Sequence, residues 1–136
     1  MIRLSHKEID IQEVIDSVSS EDAGAIDVFI GTVRNKTKGK RVLHLEFEAY
    51  ESMAISELEK IRKEADEKWP ILKMSIVHAI GKLEIGQVPV VIAVSTPHRK
   101  DSFEACQFVI DTLKESVPIW KKEIFEDGEV WVSAHP

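Results

Sequence analysis

Apolar residues run almost without a break from Pro89 to Ser95, a pattern that predicts a strand buried on both faces. Val42 to Tyr50 instead alternates apolar and polar residues, so it reads as a strand with one wet face. Gly24 to Val33 and Met74 to Ile80 are further strand candidates, and Ile2 to Leu4 is a short one. Helical spacing appears three times. Ile11, Val14, Ile15 and Val18 share a face over Ile9 to Val18. Ala54, Leu58, Ile61 and Ala65 recur at four, three and four from Ser52 to Trp69, and Pro70 stops that helix. Phe103, Cys106, Ile110, Leu113 and Val117 mark a helix over Asp101 to Val117. Gly81-Lys82 and Gly86-Gln87 read as turns, and Ile124 to Val132 as a hairpin turned at Asp127-Gly128. Strands and helices mix without regular βαβ alternation, which favours α+β over a doubly wound fold.

A chain of 136 residues fits one domain, residues 1–136, large enough to bury a core without metal or disulfide. The formal net charge of −6 argues against general nucleic-acid binding, which favours a basic surplus. Cys106 is the single cysteine, so no internal disulfide forms and a reducing compartment is expected. No apolar run approaches the roughly 20 residues of a membrane span. The start, Met1 to His6, has no apolar signal-peptide region, so a cytoplasmic protein without membrane contact is expected.

Against that acidic balance, cations gather in a few places. Five of the eight residues from Arg34 to Arg41 are Arg or Lys. His98-Arg99-Lys100 follows a strand and stands before a helix, where backbone N–H groups and the helix dipole favour anions. Lys114 sits at the edge of the last helix's apolar stripe, and Lys121 and Lys122 follow Trp120. Each alone has a bland reading: a solvated loop, a surface helix start, a snorkelling lysine. Together they predict a site for a small anion. Arg99 and Lys114 lie about 15 residues apart, roughly 20 Å along one helix, so they cannot grip one small ligand together. A symmetric dimer in which a second copy supplies His98 and Arg99 resolves this.

Other candidates are weaker. Cys106 lies on an apolar stripe and reads as a buried, inert thiol. His6, His44, His78 and His135 are scattered without the spacing of a metal site. No Gly-rich phosphate loop is present. Nothing marks Glu46 and Glu48 as catalytic, and the charges from Glu57 to Lys68 read as a solvated helix face.

A longer, ordered pattern embraces these segments. It comprises Gly24-Ala25, Phe29-x-Gly31-x-Val33-Arg34, Leu45-Glu46 to Tyr50, Trp69-Pro70 and Val77-His78-x-Ile80-Gly81. It continues through Gly86, Ser95-x-x-His98-Arg99, Phe103-Glu104-Ala105, Gln107-Phe108, Asp111-x-Leu113-Lys114 and Pro118-x-Trp120-Lys121-Lys122-Glu123. Taken in order, it resembles the large, catalytic subunit of molybdopterin synthase. The resemblance implies an α+β fold with an α/β-hammerhead element, mixed and antiparallel sheets and packed helices. It also implies sulfur transfer that forms the molybdopterin dithiolene in molybdenum cofactor biosynthesis. The sulfur would come from the C-terminal thiocarboxylate of a small ubiquitin-like subunit and enter cyclic pyranopterin monophosphate (precursor Z). The implied assembly is a heterotetramer around a homodimer of large subunits, with the small subunit's Gly-Gly tail in a pocket of the large one.

Carried over by motif, Arg34, Lys114 and Lys121 would line that pocket, with His98 and Arg99 supplied by the neighbouring chain. Arg34, His98 and Arg99 would hold substrate, Lys122 would orient the tail, and Lys114 and Lys121 would stabilise oxyanions and move protons. The nucleophilic sulfur belongs to the partner, so no cofactor, metal or catalytic cysteine is expected. Two rivals use the same cations: a non-catalytic dimeric module that binds a phosphorylated metabolite or an acidic protein tail, and an unrelated transferase with an activated lysine.

Overall fold

Strand β7 (Val90–Thr96) is buried at every residue, and a four-stranded sheet is assembled around it in a computed structural model that describes residues 1–133. The order is β1-β5-β7-β2, with β1 at Ile2–Ser5, β5 at Lys73–Ala79 and β2 at Ala25–Gly31. Only β1 and β5 run parallel; β2 and β5 flank β7 antiparallel. Three helices pack on this sheet or on one another. Helix α1 (Ile11–Ser17) lies against β5 and β7, and α3 (Arg99–Ser116) against β2 and β7. Helix α2 (Glu51–Lys68) packs on α3 and β1.

The second sheet has the order β3-β4-β8-β9, with β6 also paired to β4. Its strands are β3 (Lys36–Thr37), β4 (Lys40–Ala49), β6 (Gly81–Glu84), β8 (Ile119–Phe125) and β9 (Gly128–Ser133). All its pairings are antiparallel. The architecture is α+β, as the mixed pattern predicted. None of the described helices is long and apolar enough to cross a membrane.

The long helix and the buried strand fall within a residue or two of their predicted ends, and Ala54, Leu58, Ile61 and Ala65 are all buried. Five expectations need correction. The closing hairpin, first, begins at Ile119 rather than Ile124 and turns at Glu126-Asp127, with Gly128 already in β9. Helix α1 starts at Ile11, not Ile9, because the Asp10 side chain accepts from the Glu13 N–H at 3.1 Å and caps it there. The basic loop holds a tight hairpin: Lys38 and Gly39 both have positive φ and join β3 to β4. Gly81 does bend the chain, with φ of 103°, but Lys82 belongs to β6 rather than to a turn. That bend carries the chain from the first sheet into the second. Finally, Phe103 is 57% exposed; the buried stripe of α3 is Ser102, Ala105, Cys106, Val109 and Leu113.

Candidate active site

The two sheets and the C-terminal half of α3 meet around a pocket of about 200 Å³. Its apolar wall comes from Phe29, Leu45, Phe47, Val90, Ile110 and Leu113. Its charged and imidazole groups are Arg34, His78, Lys114, Lys121 and Glu123, with the hydroxyl residues Thr32 and Thr37 beside them. Three of the residues singled out from sequence, Arg34, Lys114 and Lys121, therefore come together from a loop, a helix and a strand.

Local geometry explains how each arrives. Gly31 ends β2 where a Cβ would stand 2.8 Å from Val90 Cγ1, so a bare backbone holds this wall. Arg34 follows on the loop after that strand. On β8, side chains alternate between the faces: Lys121 and Glu123 point into the pocket beside Phe47 and Leu45 of β4, their cross-strand partners. Lys122 turns to the opposite face and pairs with Glu46 at 3.8 Å, so it does not line the pocket. Consecutive lysines on a strand cannot serve one small site from the same side.

Two pocket residues were missed in the sequence reading. Glu123 is nearly buried, and its Oε1 lies 3.4 Å from Lys121 Nζ. The signal was present, since residues two apart on a strand share a face. His78 looked like one of several scattered histidines. It is 5% exposed, packs edge-on against Phe47 at 5.2 Å, and directs Nδ1 at the Ala79 carbonyl at 2.8 Å. That carbonyl only accepts, so Nδ1 carries the proton and Nε2 keeps a lone pair. Burial pulls the His78 pKa down to about 4, and the nearby Lys114 charge pushes the same way. The imidazole is neutral near pH 7.

His98 and Arg99 lie at the other end of α3 from Lys114 and do not line this pocket. Their segment is held firmly. Thr96 Oγ1 donates to the His98 carbonyl at 2.6 Å, and the Gly24 N–H donates to the Thr96 carbonyl at 3.1 Å. A Cβ on Gly24 would run into the Pro97 carbonyl oxygen. Cys106 is buried as expected, and burial, with Asp27 beside it, pushes its thiol up to about 12. Among the described residues no group of three or more His, Cys, Asp or Glu side chains could hold a metal; His135 lies outside them.

The pocket thus presents three cations, one carboxylate and one neutral imidazole on a largely apolar frame. Such a place attracts an anion, stabilises developing negative charge and offers groups for proton transfer.

Known proteins share this arrangement of elements. A family model described as MoaE protein matches residues 4–116. A Halalkalibacterium halodurans protein named molybdopterin synthase catalytic subunit is 60% identical over 122 residues, spanning 90% of this chain and 78% of that protein. The crystal structure of molybdopterin synthase from Staphylococcus aureus matches with a TM-score of 0.91 and 46% identity, covering 95% of this chain and 94% of that one. A Helicobacter pylori chain, solved as a protein–protein complex of subunits 1 and 2 of molybdopterin-converting factor, shares the fold. Its TM-score is 0.80 at 22% identity, over 96% of this chain and 89% of that one.

Proposed function

The chain belongs to the MoaE protein family, that of the molybdopterin synthase catalytic subunits, and from that premise we propose that it performs the sulfur transfer that builds the dithiolene. The donor is the C-terminal thiocarboxylate of a small ubiquitin-like subunit, and the acceptor is cyclic pyranopterin monophosphate. The observation that carries this reading is the convergence of Arg34, Lys114 and Lys121 on one narrow, mostly apolar pocket.

The small subunit's Gly-Gly tail enters the pocket and brings its anionic end to the lysines. Its sulfur bonds to an electrophilic substrate carbon as the C–O bond there breaks and the oxygen leaves protonated. Water then cleaves the acyl–sulfur bond, leaving the sulfur on the substrate and a carboxylate on the tail. A second loaded tail repeats the transfer at the neighbouring carbon. Lys114 and Lys121 stabilise the oxyanions of both steps and relay protons. Because α3 separates Arg99 from Lys114 by roughly 20 Å, His98 and Arg99 act in the site of a second copy, where they hold phosphate and pterin. The functional unit is a homodimer with one small subunit at each end. Lys122, on the outer face of β8, orients the tail's approach rather than its tip.

The test is reconstitution. The purified chain is mixed with thiocarboxylated small subunit and cyclic pyranopterin monophosphate, and the dithiolene is sought by mass spectrometry. Product that disappears with Lys114→Ala supports the proposal. No product, with the small subunit demonstrably bound, would leave a non-catalytic dimer whose cations are ligands only.

A further inference from the structure

Glu123 is 3% exposed, yet only one of its carboxylate oxygens is engaged. Oε1 faces Lys121 Nζ at 3.4 Å, while Oε2 has no hydrogen-bond partner among the described residues. A buried carboxylate oxygen has given up its hydration, so leaving it without a donor is costly. Glu123 lines the pocket, and although Oε2 itself is shielded from solvent, a small turn of the carboxylate would present it to a donor entering there.

Three features restrict that donor. The cavity of about 200 Å³ is smaller than the ~300–1,000 Å³ of sites that enclose drug-sized ligands, so a slender group fits best. Leu45 and Phe47 flank Glu123 and Lys121 from β4, which disfavours a broadly hydrated group. Glu123 also repels an anion, whereas the adjoining Lys121 attracts one. The pair therefore matches a ligand whose neutral donor sits directly beside its negative end. A C-terminal glycine has that form: an N–H next to the carbon that bears the carboxylate or thiocarboxylate, and no side chain.

We infer that Glu123 Oε2 accepts a hydrogen bond from the backbone N–H of the terminal glycine of the bound tail, and that this bond fixes how deep the tail sits. The inference rests on the reading above, in which a Gly-Gly tail occupies this pocket. Glu123 is then a positioning residue: it holds the tail, and through Oε1 it holds Lys121, in one arrangement.

The experiment replaces the donor without changing its size. The small subunit is made by semisynthesis in its carboxylate form, with either the native terminal glycine or a terminal glycolate, whose ester oxygen stands in place of the N–H. Both are titrated calorimetrically against the full native chain, Glu123→Ala and Glu123→Gln. On the native chain the ester tail should bind about tenfold more weakly. On Glu123→Ala the two tails should bind equally. Glu123→Gln, which keeps the size and one acceptor should the alanine variant fail to fold, should show a reduced ester penalty. An ester penalty of the same size in native and variant chains, or none on the native chain, overturns the inference and leaves the tail reading standing. Failure of the unmodified small subunit to bind the native chain overturns both.

Discussion

Every residue of β7 is buried, as is every residue of β5 but Lys73, whereas β8 places Lys121 and Glu123 on the same face as the core residues Ile119 and Phe125. The centre of the first sheet, β5 and β7, is stabilised by nearly continuous burial on both sides. The second gives up part of that burial to hold charges where the two sheets face the pocket, and it leaves a carboxylate oxygen unpartnered. A fold of this size can carry such a cost in one sheet because the other is so completely packed. Stability and chemistry should therefore separate on mutation.

The largest effects should show that separation directly. Ile92 is fully buried in the middle of β7, and Ile92→Ala should lower unfolding stability by about 2–5 kcal/mol in a denaturant titration. Turnover per folded molecule should stay near native. Lys114 is exposed at the rim of the pocket, so Lys114→Ala should abolish dithiolene formation while shifting stability by less than about 0.5 kcal/mol. A variant of either kind that lost both properties together would break the division between frame and site.

His78 is where the frame lends a titratable group to the site, since it belongs to β5 but lines the pocket. Its pKa is about 4 in the folded chain, against 6.5 for an exposed histidine. Between those values the unfolded chain binds more protons, so its contribution is fully present above pH 6.5 and is lost as pH falls toward 4. The whole window is worth about 3 kcal/mol, with most of the loss reached by pH 4.5. Urea midpoints at pH 7 and pH 4.5 should differ less in His78→Phe than in the native chain. Equal differences in the two proteins would mean that the imidazole is not held neutral.

The same contrast governs what could be read from sequence. Strand β7 and helix α2 were legible because one is apolar throughout and the other repeats at four, three and four. The first half of β8 was not. Its inward positions carry Lys121 and Glu123, so the alternation that announces a half-buried strand is inverted there by function. For the same reason Trp120-Lys121-Lys122 looked like one cationic cluster, although the strand splits the two lysines between opposite faces. Arg34, Lys114 and Lys121 could be picked out as cations in an acidic chain. Glu123 could be paired with Lys121 only once β8 was recognised as a strand, and His78 could not be picked out, because its part depends on the enclosure that the two sheets create.

The smallest effect concerns α3, where the hydrophobic pattern misled most plainly. Phe103 fits the spacing of an apolar stripe, yet the helix buries Ser102 and Ala105 instead. Small side chains allow the helix to approach the sheet closely, and Ser102 satisfies its hydroxyl by donating to the Arg99 carbonyl at 2.9 Å. Phe103 gains nothing from the core, so Phe103→Ser should change stability by less than about 0.5 kcal/mol. Val109→Ala, on the buried stripe, should cost about 2 kcal/mol. Thermal melts of the two variants at equal concentration make the comparison. A loss in Phe103→Ser that approached the Val109→Ala value would mean that another surface covers Phe103 in solution, and a loss that grew on dilution would identify that surface as a second copy of the chain.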